Sequence, residues 1–412
     1  MLAVLVFVGI VSASLATAPR PPTDEHRLFY REKWGYVRIR PNAHTFWWLF
    51  SVPQKPADEQ RRPLVVWLQG GPGGSSTGFG NFMEIGPLDV RQQPRPHTWL
   101  RKADLLFVDN PVGTGFSYVE SDDAFANSTE QIAADLVAWA SQWFANSRLY
   151  QKRPLWIFSE SYGGKMAAAV AEGKVKAQFE GVALGDSWIH SMDYVSTWGP
   201  YLQAFSFLTG FELGQVMNQS QKCQRLFDSE HWVEAEDCWS MAEAVVQNLT
   251  NGVNFYNVLT RQPDMAEQLN VLMNGPVKQR LSGVVPANVT WEGQAPQVFE
   301  HLRGDFMKPV VSVVDDLLAH TNLSVNVYNG QLDLICNTLG TEKWVSRLTW
   351  DGMPAFFAAN KSPFAGPRGE IAGFLKSYKN FAFYWIFKAG HMVPADRPEE
   401  ALLLLGHITS TL

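Results

Sequence analysis

The sequence has 412 residues, of which 46% are hydrophobic and 18% charged, and its formal net charge is −6. This length and apolar content suffice for one large core or for two domains. The negative charge and the lack of a basic tract argue against a nucleic-acid partner.

The chain begins with a pattern that predicts a signal peptide over residues 1–18. Residues 2–13 form an apolar run too short to span a bilayer, and Ala16-Thr17-Ala18 follows as a small-x-small cleavage site. Later runs are too short or too polar for a membrane helix. We therefore expect a product of the secretory pathway, secreted or lysosomal, without a membrane anchor.

Sequons and cysteines fit the same compartment. Six asparagines are followed by x-Ser or x-Thr and are predicted to be glycosylated: Asn127, Asn218, Asn248, Asn288, Asn322 and Asn360. Of the three cysteines, Cys223 and Cys238 could pair locally, which would leave Cys336 free. Such a sparse count indicates that the core, rather than a disulfide scaffold, supplies the stability.

Residues 19–188 alternate strand and helix patterns. Two antiparallel strands come first, then buried apolar strands separated by loops and by a helix with apolar residues at helical spacing. The predicted strands are 34–39, 45–50, 63–68, 104–109, 155–158 and 181–185, and the helix is 129–146. This alternation predicts an α/β fold with a mixed, mostly parallel central sheet covered by helices on both faces.

The pattern changes at residues 189–305, which are helical in character and lack convincing buried strands. We interpret them as a helical cap inserted into the core. Strand and helix patterns resume over 306–412, with helices at 306–319 and 338–348 and strands at 324–329 and 381–387. The core would thus consist of residues 19–188 and 306–412.

Ser161 lies between a buried strand and an Ala-rich helix. Its neighbours at two positions before and two after, Ser159 and Gly163, are small, as the crowded backbone of a tight strand–turn–helix requires. Such a turn holds a serine at the edge of a sheet, above a helix N-terminus that favours a developing anion. The alternative is a buried strand that ends in a small-residue turn.

Two further residues follow predicted strands at the same edge of the sheet. Asp333 comes just after the strand at 324–329, and His391 just after the strand at 381–387. The order Ser161, Asp333, His391 is that of the α/β-hydrolase triad. Ser161 would attack a carbonyl, His391 would transfer the proton and Asp333 would orient the imidazole. Taken alone, Asp333 could equally be a turn residue.

Five strings together resemble the serine carboxypeptidases: WLQGGPGGSS, DNPVGTGFSY, SESYGG, YNGQLDLIC and KAGHMVP. Longer strings, including GVALGDSW and FYWIFKAGHMVP, are similar to one subgroup of that family. The resemblance covers nearly the whole chain after the predicted signal. It implies an α/β-hydrolase sheet with a helical cap.

The resemblance also implies the remaining site residues. It places the two backbone N–H groups of the oxyanion hole on Gly71 and Tyr162, and the receptor for the substrate's terminal carboxylate on Gln69, Glu160 and Glu84. A phosphate loop is the rival interpretation of the glycine run after Gln69. That run lacks a Lys-Ser/Thr ending, and we expect no helix after it.

Binding of a carboxylate by this receptor would depend on the protonation of its two glutamates. Ionised Glu160 and Glu84 would repel a carboxylate, whereas protonated carboxyl groups would donate hydrogen bonds to it, so binding should favour acidic pH. Glu84 could instead be a solvated loop residue.

The sequence departs from the wider family at three positions: Gln69 replaces the usual Asn, Gly74 the usual Cys and Ser159 the usual Gly. Gln69 matters most, because a shifted amide could weaken carboxylate recognition.

Three functions compete. The first is a serine carboxypeptidase that removes C-terminal residues of peptides and proteins through an acyl-enzyme. The second is an esterase, amidase or acyltransferase that uses the same triad, and the third is a weakly active binding or protective protein. We find no motif for a metal or an organic cofactor and expect none. The expected partner is a peptide or protein C-terminus, and a homodimer is left open.

Overall fold

The computed structural model describes residues 28–54, 60–171, 177–261 and 265–411. The predicted signal at 1–18 lies outside them. An eleven-stranded sheet forms the centre of the molecule, with the strand order β1-β2-β4-β3-β6-β7-β8-β11-β10-β9, and β5 pairs with β2. The strands are β1 (Arg31–Arg40), β2 (Ala43–Ser51), β3 (Leu64–Leu68), β4 (Asp104–Val108), β5 (Tyr118–Val119), β6 (Pro154–Glu160), β7 (Gln178–Gly185), β8 (Ser324–Gly330), β9 (Ser362–Ala365), β10 (Ile371–Tyr378) and β11 (Phe381–Ile386).

The middle of the sheet is parallel and its two edges are antiparallel. Strands β4, β3, β6, β7, β8 and β11 run parallel to one another. Strands β1 and β2 pair antiparallel at one edge, as do β9, β10 and β11 at the other. This confirms the predicted mixed, mostly parallel sheet.

Helices cover both faces of the sheet. They are α1 (Thr129–Ala145), α2 (Gly163–Ala171), α3 (Ser191–Ala204), α4 (Gly210–Asp228), α5 (Trp232–Leu249), α6 (Met265–Leu272), α7 (Lys278–Arg280), α8 (Pro296–His301), α9 (Arg303–Phe306), α10 (Val311–His320), α11 (Thr338–Ser346), α12 (Met353–Ala358), α13 (Val393–Asp396) and α14 (Pro398–Thr409). Short 3₁₀ turns lie at Trp99–Arg101, Asp122–Ala124 and Tyr150–Lys152, and π-helical segments at Ser76–Ile85 and Met273–Val277.

The alternation of side chains along the buried strands produces two cores. On β3, Leu64, Val66 and Leu68 pack into the core that contains the apolar faces of α1, α2 and α3. Val65 and Trp67 point to the other core, which contains the apolar face of α14. All five side chains are buried, which explains why β3 reads as a continuous apolar run.

Three details differ from the expectations. A π-helical segment, Ser76–Ile85, does follow the glycine run, where no helix was expected. The predicted helix 306–319 begins only at Val311, as α10, because Pro309 precedes it and proline disfavours a helical conformation in the residue before it. Strands β9 and β10 were not predicted, because an edge pair with exposed positions lacks a clean apolar pattern.

Between β7 and β8 the described residues form helices and loops, with no strand longer than an isolated bridge. Helices α4 and α5 pack side by side there, and a disulfide between Cys223 and Cys238 joins them. The division into core and cap at residues 189 and 305 stays a prediction. In the part of the chain that the structure describes, no helix is long and apolar enough to cross a bilayer.

Candidate active site

Ser161 lies at the tip of the turn between β6 and α2. Its φ is +59°, a left-handed conformation that is rare for a residue with a side chain. The backbone holds it there, because Ser161 N donates to the Gly185 oxygen at 3.1 Å and Ser161 O accepts from Trp188 N at 2.9 Å. A Cβ atom on Gly163 would lie 2.3 Å from the Leu68 oxygen, which is why that position must be small.

Asp333 and His391 form a buried hydrogen-bonded pair. The His391 Nδ1 lies 2.8 Å from Asp333 Oδ2, and Cys336 N donates to Asp333 Oδ1 at 3.1 Å. Asp333 follows β8 and His391 follows β11, which is paired with β8. Burial lowers the pKa of His391, so the imidazole is held in the neutral form that a base requires.

The sheet brings the three predicted residues to one edge, at the carboxyl ends of β6, β8 and β11. Among the described residues Ser161 Oγ makes no hydrogen bond. In free enzymes the bond between nucleophile and base is often long and tightens when substrate binds.

Two backbone N–H groups beside Ser161 are free. Within the described residues neither Gly71 N nor Tyr162 N has a hydrogen-bond acceptor. A Cβ atom on Gly70 would lie 2.4 Å from the Ser161 Cβ and 2.8 Å from Tyr162 N, so only glycine lets this loop approach the serine. Gly71 has φ +107°, which also requires glycine. Free N–H groups next to a nucleophile are what an oxyanion hole needs.

Gln69, Glu160 and Glu84 form a buried polar cluster next to the serine turn. Gln69 Nε2 donates to Glu160 Oε1 at 2.6 Å, and Gln69 Oε1 accepts from Trp67 Nε1 at 2.7 Å. Glu84 lies in the π-helical segment and is 1% exposed, so it is not a solvated loop residue.

Both carboxyl groups of this cluster favour the protonated state. Burial raises the pKa of Glu84 to about 7, although interactions with Glu160 and Gln69 oppose the rise. Burial also raises the pKa of Glu160 well above its ordinary value, and the charge of Glu84 adds to that rise. The cluster can therefore hold a proton near neutral pH.

The comparisons with known proteins decide the family. A family model described as serine carboxypeptidase matches residues 21–411. The chain belongs to the serine carboxypeptidases. Carboxypeptidases of this family act on peptides, and the chain is accordingly a serine-type carboxypeptidase with an α/β-hydrolase fold.

The relatives also confirm the similarity to one subgroup of the family, the retinoid-inducible serine carboxypeptidases. The chain is 45% identical to the retinoid-inducible serine carboxypeptidase of Mus musculus, over 92% of this chain and 91% of that protein. It is 40% identical to serine carboxypeptidase-like 51 of Arabidopsis thaliana, over 92% of each. The crystal structure of Kex1Δp, a prohormone-processing carboxypeptidase from Saccharomyces cerevisiae, superposes with a TM-score of 0.81 at 21% identity, over 92% of this chain and 91% of that one, and so shares the fold.

Sequence reasoning missed two residues that contact the candidate site. The backbone oxygen of Tyr256 accepts from His391 N at 2.7 Å, and its ring centroid lies 5.2 Å from that of His391. Asp186 is buried and interacts with both Asp333 and His391. Asp186 follows β7 at the same edge as the other site residues, so its place after a strand was a usable signal.

Cys336 also lies beside the pair. One ligand atom each of Asp333, Cys336 and His391 falls within 4.8 Å of the others. Asp333 and His391 are already hydrogen-bonded to each other, and burial raises the pKa of Cys336 so that its thiol stays protonated. We therefore assign no metal ligand among them.

All six sequon asparagines of the carboxypeptidase are exposed, as glycosylation requires: Asn127, Asn218, Asn248, Asn288, Asn322 and Asn360.

Proposed function

We propose that this carboxypeptidase removes residues from the free C-terminus of peptides and proteins, with Ser161 as nucleophile. His391 acts as the general base and then as the acid that protonates the leaving amine, and Asp333 fixes the tautomer of the imidazole. The buried His391–Asp333 hydrogen bond, at the sheet edge that also holds the strained Ser161, carries the proposal.

The reaction proceeds through an acyl-enzyme. The Ser161 oxygen bonds to the scissile carbonyl carbon while its proton passes to His391, and the carbonyl oxygen becomes negatively charged. The free N–H groups of Gly71 and Tyr162 stabilise that oxyanion. Collapse of the intermediate releases the C-terminal residue, whose amine takes the proton from His391. Water then attacks the acyl-enzyme by the same steps in reverse order.

Gln69, Glu160 and Glu84 bind the terminal carboxylate of the substrate. The protonated carboxyl groups donate hydrogen bonds to it, so activity is greatest at acidic pH. Because Gln69 already bridges Trp67 and Glu160, its main task is to orient Glu160. The predicted signal and the exposed sequons support a secreted or lysosomal location.

A serine-directed fluorophosphonate probe tests the nucleophile. Wild type should be labelled at Ser161 alone, and Ser161→Ala should lose the label and about 10⁴–10⁶-fold of turnover. Ser159→Ala is the matched control, because Ser159 is buried two residues away and donates to the Ala183 oxygen. It should keep both label and activity. Labelling that survives Ser161→Ala would disprove the assignment.

A panel of N-blocked dipeptides against their C-terminal amides tests the substrate class. We expect the acids to be cleaved with the higher kcat/KM at pH 5. Equal rates on acids and amides would favour the esterase or amidase alternative instead.

A further inference from the structure

A buried carboxyl group outside the triad adjoins it. Asp186 follows β7 directly, is 1% exposed and has φ +41°, a conformation that few residues with a side chain adopt. Its N–H donates to the Tyr328 oxygen of β8 at 2.9 Å. The turn after β7 therefore fixes the Asp186 side chain against the loop that carries Asp333.

The two oxygens of Asp186 differ in their partners. Oδ1 accepts from Asn329 Nδ2 at 2.6 Å and from Gly330 N at 2.7 Å. Oδ2 is buried and has no hydrogen-bond partner of ordinary geometry among the described residues. A carboxylate oxygen in that position lacks any donor, whereas a protonated oxygen is itself a donor.

Asp333 is the acceptor that such a donor needs. The two carboxyl groups are close enough to shift each other's pKa: the charge of Asp333 raises the pKa of Asp186, and a hydrogen bond from Asp186 lowers that of Asp333. Asp333 receives donors from Cys336 N and His391 Nδ1 on its own two oxygens. Two neighbouring buried carboxyl groups cannot easily both ionise. Each receives two hydrogen bonds, but both oxygens of Asp333 have a donor whereas Oδ2 of Asp186 has none, so the proton belongs on Asp186 Oδ2.

The surroundings of Asp186 also favour its protonated form. Burial raises the pKa of Asp186 well above its ordinary value, and the negative charge of Asp333 raises it further, while His391 opposes the rise. A negative charge on Asp186 would in turn raise the pKa of Glu160 at the end of β6, of Tyr328 in β8 and of Cys336. The charge of Glu84, from the π-helical segment, raises the pKa of His391.

We propose that Asp186 is a positioning residue of the triad, which keeps its proton and donates a hydrogen bond to Asp333, so that the two carboxyl groups carry one negative charge between them beside His391. The inference rests on the proposed triad. The hydrogen bond from Asp186 fixes the Asp333 carboxylate and reduces its basicity. His391 therefore stays neutral, and able to act as a base, at the acidic pH where the carboxylate receptor works best.

The test compares Asp186→Asn with Asp186→Ala. An asparagine keeps the acceptor for Asn329 and Gly330 and donates to Asp333 through Nδ2, as the protonated carboxyl would. The acid limb is the fall of kcat/KM at low pH, where His391 becomes protonated. For an N-blocked dipeptide we expect its midpoint in Asp186→Asn to stay within about 0.3 pH unit of wild type. In Asp186→Ala the limb should move up by about 1 pH unit, because an unsupported Asp333 raises the pKa of His391.

Asp193→Asn is the control. Asp193 is another buried aspartate, but it pairs with Arg347 and lies outside the site. Its loss should lower the melting temperature and leave the acid limb in place, which separates a structural effect from the proposed electrostatic one.

Two results would overturn the proposal. An acid limb that moves down by about 0.5 pH unit or more in Asp186→Asn would mean that Asp186 is ionised in wild type. A wild-type limb in folded Asp186→Ala would mean that Asp186 does not act on the triad. If the alanine variant does not fold, the asparagine variant alone decides.

Fluorophosphonate labelling of the same variants distinguishes this proposal from the proposed function. Labelling that survives Ser161→Ala overturns both. Labelling that depends on Ser161, with an acid limb in Asp186→Ala that matches wild type, overturns only the role of Asp186.

Discussion

At the scale of single residues, the candidate site places two carboxyl groups close together in a buried cluster. Glu84 and Glu160 are buried with Gln69, and no cation among the described residues forms an ion pair with either carboxyl group. Arg95 lowers the pKa of Glu84, but this effect is smaller than that of burial. Binding of a proton by one of the two groups therefore costs less free energy than keeping both ionised in the buried cluster.

The first residue-scale prediction concerns pH and the substrate terminus. The pKa of Glu84 is raised to about 7, so its carboxyl group keeps a proton below that pH and loses it above. We expect kcat/KM for a dipeptide acid to fall as pH rises through about 7, and kcat/KM for the matching amide to fall much less. Both are measured from about pH 4 to 8. Identical profiles for acid and amide would mean that the cluster is not the carboxylate receptor.

Glu160→Gln extends that measurement. A glutamine donates a hydrogen bond at any pH, so this variant should flatten the alkaline fall for the acid substrate. Glu243→Gln is the control, since burial raises the pKa of Glu243 to about 7 as well, but Glu243 lies on α5 and shares no hydrogen bond with the cluster. It should leave the difference between acid and amide intact.

At the scale of elements, the turn between β6 and α2 depends on close backbone contact. Gly163→Ala puts a Cβ atom 2.3 Å from a backbone oxygen of β3, which cannot yield as a flexible side chain would. We expect this variant to lose about 2–4 kcal/mol of unfolding free energy and most of its activity, because Ser161 shifts with the turn. Urea unfolding and fluorophosphonate labelling measure the two effects.

Gly214→Ala is the matched control for that change. Gly214 lies within α4, and a Cβ atom there would meet nothing within 4 Å. The substitution should therefore stabilise the protein by up to about 1 kcal/mol through helix propensity. A Gly163→Ala variant that gains stability in the same way would show that the turn tolerates a Cβ atom.

At the scale of the whole molecule, a buried ion pair joins α2, the helix after Ser161, to α9. Lys165 Nζ on α2 lies 3.0 Å from Asp305 Oδ2 on α9, and both side chains are buried. Asp305 also accepts from Tyr162 OH and from Thr129 Oγ1, both at 2.6 Å. Burial raises the pKa of Asp305, but Lys165 and these hydrogen bonds outweigh it and bring the pKa to about 2.

Lys165→Met should cost about 3–5 kcal/mol of unfolding free energy, because it leaves the Asp305 charge buried without its partner. Lys222→Met is the control, since Lys222 is exposed on α4 and its loss should change stability by at most about 0.5 kcal/mol. The depressed pKa of Asp305 means that its contribution is present above its unfolded pKa of about 4 and lost as pH falls toward 2. A Lys165→Met variant as stable as the control at pH 5 would contradict this role.

The sequence by itself determined the parallel sheet and the positions of Ser161, Asp333 and His391. Strands buried on both faces read as apolar runs, and a serine held above a helix requires small neighbours within the same seven residues. These constraints are local, so the order of residues along the chain records them.

The family resemblance placed Glu84 with Glu160, and only the tertiary structure decided that Asp186 meets Asp333. Glu84 and Glu160 are 76 positions apart and Asp186 and Asp333 are 147 apart, so no local pattern links them. Their protonation follows from burial, which depends on the packing of the whole chain. Strands β9 and β10 were likewise beyond the sequence, because pairing rather than an apolar run defines them: β10 pairs with β11, and β9 pairs with β10.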